Sequence, residues 1–473
     1  MRPLVAAALL MPAWAQAFCG FYVSSAGAEL FNDASMVVLM REGTRTVLSM
    51  QNNYRGPTEN FALVVPVPVV LKEEMVKTLP KEVFSRIDTL ASPRLVEDFE
   101  AGECPPRPPP VPSARMESGG GGMARDLGVK VEAKFEVGEY EVVILSAKDA
   151  LGLDIWLREN KYKIPGGAAP LLKPYVEGSW KFFVAKVNAK KVTFKDGQAV
   201  LSPLRFHHDS EAFTLPVRLG LMNSSGAQDL IVTVIAKSRY EAANLKNVTV
   251  PTNLQLTATA PSQFGGFYSE LLKRTFSANA GTAVTEFAWE GALPPPRVMT
   301  RQGIYGVTCD PCPPPHPMDD PMAKYLGADV LPGLKDDEAI AKWAREATMT
   351  RLHLRYGKDS LTDDVVLKAV EPIAGGVPEQ AKTGPAKTNR FQGRYIVKKP
   401  FDPNMCSRYG RGGGPAAGGN VVPMGFNSQL AGEGGNTAPS VALKEPFEAL
   451  LITDVPELGV KATGKPPAPA KKK

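Results

Sequence analysis

The chain has 473 residues, a formal net charge of +6, five cysteines and four histidines. Arg2 and the five lysines of residues 461–473 account for that charge, so the rest of the chain is neutral. Because binding to nucleic acid needs positive charge clustered on the folded body, we expect no nucleic-acid partner.

The first 17 residues have the pattern of a secretory signal peptide. Arg2 precedes an apolar run over residues 4–10, and Ala15-Gln16-Ala17 fits the small-x-small cleavage pattern. The run is much shorter than the about 20 residues that a membrane-spanning helix needs, and no later stretch is long enough. We therefore expect export to the periplasm, the cell surface or the extracellular space, with Phe18 as the mature N-terminus and no transmembrane span.

Two changes in composition divide the mature chain. Residues 101–127 carry a proline run followed by four glycines, which is typical of a flexible linker or an exposed loop. Residues 404–473 are rich in glycine, proline and lysine and lack the apolar content that offsets ordering entropy, which predicts a disordered tail. Between these breaks we predict an N-terminal segment over 18–100, a central domain over 128–300, and a segment over 301–403 that closes the core.

The N-terminal segment reads as strands followed by one helix. Residues 35–40 and 44–51 form a predicted hairpin, and 61–69 a further strand. The two prolines near the end of that strand cannot donate to a ladder, so it is an edge strand or ends there. Apolar residues then recur at helical spacing over 81–90.

Beyond the linker, an alternating hairpin is predicted around Gly138, and a helix from about Lys148 places Leu151, Ile155 and Trp156 on one face. A second helix is predicted where acids at 336–338 supply negative charge to a first turn. Further strands are predicted at 181–187, 229–237, 283–289, 348–356, 364–370 and 394–398. Because strands and helices are interleaved without a regular βαβ cadence, the sequence predicts an α+β fold with mixed, mostly antiparallel sheets and interspersed helices.

Several blocks, taken together and in order, resemble an uncharacterised bacterial family. They include FCGFYV, VVLMREGTRTVLSMQNNY, GEYEVVILSAKDALGLDIWLRENKY and TRLHLRYGKDSLTDDVVLKAV. The family is catalogued as domain of unknown function 2330, and the resemblance extends over most of residues 18–406. It implies a secreted or envelope protein, and it brings no activity, cofactor or catalytic residue. Some relatives carry a C-terminal membrane anchor, whereas this chain ends in PPAPAKKK.

In an exported protein, oxidised cysteines are the default. The candidates for disulfide bonds are Cys19, Cys104, Cys309, Cys312 and Cys406. We expect one bridge from the 309/312 pair to Cys406 and a second between Cys19 and Cys104.

The Cys309-x-x-Cys312 spacing has two other interpretations. A redox pair places its first cysteine at a helix N-terminus, but the prolines that follow Cys312 disfavour a helix there. A zinc site could use His316 with both cysteines, but it would need a further ligand at close spacing.

Three histidines are weak candidates for a functional site. His207 and His208 are adjacent, so on a strand they point to opposite faces and cannot bind one ion together without a bend. Asp209 or Glu211 could assist one of them, although an exposed polar strand end explains the same residues. His353 alternates with leucines and is predicted to lie on a half-buried strand, on one face with its neighbouring arginines.

The sequence contains none of the common nucleophile, phosphate-loop or zinc-protease motifs, and we predict no catalytic, cofactor or metal site. The favoured hypothesis is a non-catalytic exported protein that binds an unidentified envelope protein or polymer or has a structural role. The alternative is a secreted hydrolase, either with one of these histidines and a distant carboxylate or with carboxylates alone.

Overall fold

The computed structural model of the chain describes residues 21–24, 35–52, 54–55, 61–80, 82–99, 134–159, 168–195, 198–223, 227–293, 299–300, 303–304, 322–357, 363–377, 380–399, 420–422 and 443–466. The α-helices in these ranges are α1 Glu82–Ala91, α2 Ala150–Glu159, α3 Ala168–Glu177, α4 Phe264–Ala278, α5 Met322–Leu326 and α6 Asp337–Glu346. The strands are β1 Phe21–Ser24, β2 Ser35–Glu42, β3 Arg45–Asn52, β4 Tyr54–Arg55, β5 Phe61–Val67, β6 Val76–Thr78, β7 Arg94–Phe99, β8 Lys134–Val137, β9 Tyr140–Ser146, β10 Lys181–Val187, β11 Thr193–Lys195, β12 Gln198–Val200, β13 Leu204–Asp209, β14 Thr214–Leu215, β15 Gln228–Ala236, β16 Arg239–Ala242, β17 Lys246–Thr249, β18 Leu254–Leu256, β19 Thr282–Glu290, β20 Met299–Thr300, β21 Gly303–Ile304, β22 Thr348–Tyr356, β23 Val365–Val370, β24 Ile373–Gly375, β25 Gly384–Pro385, β26 Arg390–Gln392, β27 Arg394–Lys399 and β28 Asn420–Val422.

An eleven-stranded mixed sheet forms the centre of the fold. Its order is β25-β24-β26-β19-β22-β15-β2-β3-β13-β6, with β17 paired to β19 beside β26. Its strands come from all three segments that the sequence divides at 101–127 and 301, so those segments share one sheet. Most of its pairings are antiparallel, and β15 with β2 is a parallel exception. The fold is α+β, as the sequence predicts.

The main sheet is buried on both faces, which explains the nearly continuous apolar run of β2. Val37 and Leu39 face the five-stranded sheet β1-β5-β10-β9-β8, and that shared core includes Phe183. Met36 and Val38 face α1, α5 and α6 on the other side. When both faces of a strand are buried, apolar residues occupy successive positions, and the sequence does not alternate between apolar and polar residues.

Helices α2 and α3 cover the outer face of the five-stranded sheet. The side of α2 that packs on the sheet is not the one that the sequence predicts. It buries Leu153 and Leu157, while Leu151 and Ile155 are 61% and 46% exposed. Both pairs have the i, i+4 spacing of one helix face, so spacing alone does not decide which pair packs.

Two local predictions about the ends of elements are confirmed. Strand β5 ends at Val67, directly before the second proline, Pro68. Asp336 accepts a hydrogen bond from the backbone N–H of Ala339 at 2.8 Å and so caps α6.

Helix α4 packs on a four-stranded sheet, β18-β27-β7-β28, and forms a separate core with it. The C-terminal residues 443–466 complete this core. Phe447 stacks on Phe267 at a ring-centroid distance of 5.1 Å, and the Arg274 guanidinium lies 4.6 Å from the Phe447 ring centre. Leu450 is fully buried beside them.

This packing corrects the expectation of a disordered tail for residues 443–466. The segment has enough apolar side chains to bury, and its backbone bonds to the sheet, with the N–H of Thr257 donating to the carbonyl of Leu450. The predicted signal peptide at 1–17, the predicted linker at 101–127 and most of the other residues of the predicted tail lie outside the described ranges. In the part of the chain that is described, no helix combines the length and apolar character needed to cross a membrane.

The C-terminal segment gives the first test. We expect Phe447→Ala to lower the free energy of unfolding by about 3–5 kcal/mol, because it removes a buried aromatic ring. The matched control is Glu457→Ala, which changes an exposed side chain of the same segment and should stay within about 0.5 kcal/mol of the unmodified protein. Urea denaturation measures both variants. Equal unfolding free energies for the two variants would show that the segment is not part of the core.

Candidate functional site

Strand β22 carries a row of charged side chains on one face. Arg351, His353 and Arg355 alternate with Leu352 and Leu354, because successive residues of a strand point to opposite faces. The leucines belong to the core shared with the five-stranded sheet. The charged row therefore faces α1 and α4, and the strand is buried on both faces instead of half-buried.

A β-bulge in the neighbouring strand supplies an acid to this row. Thr285 pairs with Leu352 and Phe287 with Arg351, which leaves Glu286 as the extra residue of β19. Val284 pairs with His353 and shares its face, so the alternation along β19 places Glu286 on that same face. Glu286 therefore lies beside the charged residues of β22.

Arg351 is the centre of the cluster, and its side chain is 0% exposed. Its Nε donates to Glu286 Oε2 at 2.5 Å, and its Nη1 donates to Asp88 Oδ1 of α1 at 2.5 Å. Tyr268 of α4 donates its hydroxyl to Glu286 Oε1 at 2.6 Å. These contacts connect two helices with two strands of the main sheet.

His353 extends the cluster towards β15. Its Nδ1 lies 3.3 Å from Glu286 Oε1, and its Nε2 lies 3.3 Å from Asp229 Oδ1. Arg355 binds the same aspartate through both carboxylate oxygens, at 2.7 and 2.8 Å. The ring of Phe276 from α4 packs edge-on against His353 at 5.5 Å.

The charges in the cluster hold one another ionised. Burial lowers the pKa of His353, but Glu286 and Asp229 outweigh it and raise that pKa to about 9. Burial raises the pKa of Glu286, but Arg351 and His353 hold it at about 2. The pKa of Asp229 is likewise well below its usual value, because hydrogen bonds from His353 and Arg355 outweigh its burial. At neutral pH the cluster therefore contains a histidinium ion between two carboxylates.

The chemistry open to this cluster is limited by its burial. The side chains of Arg351 and Glu286 are fully buried, and that of His353 is 5% exposed. A histidine that acts as a general base must be neutral and within hydrogen-bond reach of its substrate, and His353 is protonated at neutral pH. The arrangement can fix the positions of α1 and α4 on the sheet, and it brings none of its groups to the surface except at Asp229 and Arg355.

His207 and His208 lie on β13 and point to opposite faces of the sheet. His208 is 7% exposed and stacks near Phe206, at 6.5 Å between ring centres. Its burial and the nearby Arg41 lower its pKa to about 4, and its Nδ1 has no hydrogen-bond partner. It is a neutral interior side chain, not part of an exposed strand end.

His207 is half-buried on the helix-covered face, and the acid beside it is already engaged. Burial, and then Arg45 and Arg205, lower the pKa of His207. Asp209 binds Arg45 through both oxygens, at 2.7 and 2.8 Å. The hydrogen bond from Arg45 also holds the pKa of Asp209 below its usual value. Asp209 is thus paired with an arginine and does not assist either histidine.

A second buried acid, Asp364, connects helix α3 with another sheet. Asp364, just before β23, accepts a hydrogen bond from the hydroxyl of Tyr175 in α3 at 2.6 Å and one from Arg218 Nη2 at 3.0 Å. It also accepts from the backbone N–H of Val217 at 2.9 Å. This carboxylate fixes a helix of the five-stranded layer to the three-stranded sheet β14-β23-β16.

All five cysteines and His316 lie outside the described ranges, so the disulfide expectations remain predictions. Within those ranges, no three histidine or acidic side chains come close enough together to bind a metal ion.

The cluster contains residues that sequence reasoning did not single out, above all Glu286, Asp88 and Asp229. A signal for Glu286 exists in the sequence, since TAVTEFAWE places one acid within an otherwise apolar strand. Asp88 similarly follows Ile87 on a helix whose other inward residues are apolar. An isolated charge on a buried face implies a partner of opposite charge, but not which one.

A family model described as an uncharacterised protein conserved in bacteria, DUF2330, matches residues 12–368. The match covers well over half of the chain, so the chain belongs to this bacterial family, as its strand blocks indicate. The matched region includes every member of the charge cluster. No curated protein and no solved structure shows a significant match to the chain.

The cluster predicts a large cost for removing its central cation. Arg351→Met leaves Glu286 and Asp88 buried without their main partner, and we expect the unfolding free energy to fall by about 3–5 kcal/mol. The control is Arg345→Met on the exposed side of α6, with an expected change within about 0.5 kcal/mol. Chemical denaturation compares the two variants. A loss no larger than that of the control would contradict the ion pairs.

The cluster also predicts a pH dependence. A histidine whose pKa is raised on folding contributes stability that is fully present below about pH 6.5 and is lost as the pH rises through about 9. The difference between these pKa values corresponds to on the order of 3 kcal/mol. We expect the stability advantage of the unmodified protein over His353→Gln to shrink by about that amount between pH 6 and 10.

The matched control for this measurement is His207→Gln, which should keep the pH dependence of the unmodified protein because His353 is intact. Parallel stability curves for the unmodified protein and His353→Gln would refute the assignment of the charge to His353.

Proposed function

We propose that this protein is exported and acts in the bacterial envelope, or outside the cell, as a non-catalytic module that binds an envelope protein or polymer. The signal-peptide pattern of residues 1–17 supports export, and membership of a bacterial family supports a bacterial envelope as the setting. The neutral charge of the mature body argues against a nucleic-acid ligand.

The proposal that the module is non-catalytic rests on one observation, which is that the histidines and their nearest acids are engaged in internal contacts. His353 is protonated between Glu286 and Asp229, and Asp209 is bound by Arg45. A histidine hydrolase needs a neutral histidine and an acid that orients it beside an accessible substrate. In the described part of the chain these groups act instead as links between strands and helices.

The architecture also suits a scaffold. Asp364 links α3 to the sheet that contains β23, and the cluster around Arg351 links α1 and α4 to the main sheet. Helices and sheets that are joined by buried polar contacts resist displacement relative to one another, because any shift would leave a buried charge without its partner. A body of this kind presents its outer surfaces in a fixed arrangement, and preorganised surfaces bind at a lower entropic cost.

Export is tested in cells that produce the full chain from Met1. We expect the mature protein in the envelope or the medium, with an intact mass that begins at Phe18. A variant that lacks residues 2–17 should remain in the cytoplasm. Peptide mapping without reduction should find Cys309 or Cys312 joined to Cys406, because an exported chain meets oxidising conditions. An uncleaved cytoplasmic chain would overturn the proposal.

Binding is tested with the purified mature protein and envelope fractions from its host. We expect saturable co-sedimentation that His207→Gln and His208→Gln leave unchanged, since neither histidine takes part in binding. Release of soluble products from the envelope material, abolished by either substitution in a protein that still folds, would identify a hydrolase instead.

A further inference from the structure

Arg94, the first residue of β7, is a buried cation with unused hydrogen-bond donors. It is 3% exposed, and its Nη2 donates to the carbonyl of Leu90 at the end of α1 at 2.7 Å. Its Nε and Nη1 are buried and have no hydrogen-bond partner among the described residues. Buried donors are paired in the great majority of native proteins, so two unpaired donors on one side chain call for a missing acceptor.

The charge of Arg94 is also unbalanced. Burial lowers its pKa to about 10, and no acid of the described ranges offsets that effect. The contrast is with Arg351, which has Asp88 and Glu286 as partners. The carbonyl of Leu90, at the C-terminal end of a helix, supplies only a partial negative charge.

A second arginine lies directly beside the first. Arg394 of β27 is the register partner of Arg94 in a parallel pair of strands, so both side chains leave the same face of the sheet. Arg394 is buried as well, and its Nη1 donates to Asn253 Oδ1 at 3.0 Å. The opposite face of these strands carries the apolar core with Leu95 and Tyr395. Half-buried Gln255 and Ile396 lie on the arginine side, so that face reaches solvent at its edge.

We propose that Arg94 forms a binding site for one oxyanion group, a carboxylate or a phosphate. The site offers donors and positive charge, which excludes a cation as its ligand. Guanidinium groups match the paired oxygens of carboxylates and phosphates in geometry and charge. A trapped water molecule would satisfy the hydrogen bonds of Arg94 but would leave its charge unbalanced. The inference does not depend on the proposed function.

The test is an anion titration of the purified mature protein at constant ionic strength, with sodium phosphate, sodium acetate and sodium chloride in parallel. A ligand that binds only the folded state raises the Tm progressively with its concentration. We expect phosphate or acetate to raise the Tm beyond the effect of chloride, and equilibrium dialysis with radiolabelled anion to find one site per chain. A response to phosphate alone assigns a phosphate group, and a response to acetate alone assigns a carboxylate.

The variants separate a specific site from a general effect of salt. Arg94→Met should lose the anion-dependent rise in Tm and the dialysis signal, whereas Arg345→Met on exposed α6 should keep both. Arg94→Lys retains the charge without the planar fork, so it guards against loss of folding in the methionine variant, and it should bind the anion more weakly. Equal responses in the unmodified protein and both Arg94 variants, or no response in the unmodified protein, would overturn the site.

Discussion

The placement of the helices on the main sheet depends on the ion pairs of one arginine. Arg351 binds Glu286, 65 residues away in sequence, and Asp88, 263 residues away. In the interior, a charge that loses its partner costs about 3–5 kcal/mol. The helix that carries Asp88 can therefore dock in one position, because displacement by a turn would leave Asp88 buried without Arg351. We regard the two ion pairs of Arg351 as determinants of which fold forms, more than as a net source of stability.

The charges of the cluster form an ordered series. The side chains alternate in sign along Asp88, Arg351, Glu286, His353, Asp229 and Arg355. Arg351 and His353 lie two residues apart on one face of β22, and Glu286 binds both, so an acid separates the two positive charges. The last two members of the series are partly exposed, so it connects the centre of the molecule with solvent.

Much of the strand framework could be predicted from the sequence, because alternation is a local property. The two strands before Asn53 and those containing Phe183 and Leu352 are found where the pattern places them. Helix α4 was not predicted, since Gly265 and Gly266 in its first turn obscure the helical signal. The sequence also could not show which side of α2 faces inward, because that depends on the sheet on which the helix packs.

The partners of buried charges could not be predicted for the same reason, since pairing is a property of the assembled layers. Arg351 and His353 were placed on one face by alternation, but nothing within their own strand indicates an acid from a distant bulge. The apolar residues of the C-terminal segment, such as Phe447, follow a long stretch of low complexity and have no sustained period. Their role becomes visible only beside α4.

The position of that segment has a consequence for biosynthesis. Helix α4 ends at Ala278, and the segment that completes its apolar core begins only at residue 443. At about 5–20 residues per second, a ribosome needs on the order of 10–30 s to make the intervening chain. During that interval the side of α4 that Phe447 and Leu450 later cover, which includes Phe267, is incompletely buried, so a nascent chain is exposed to aggregation and is a natural client for chaperones. Translation of residues 443–466 ends this exposure.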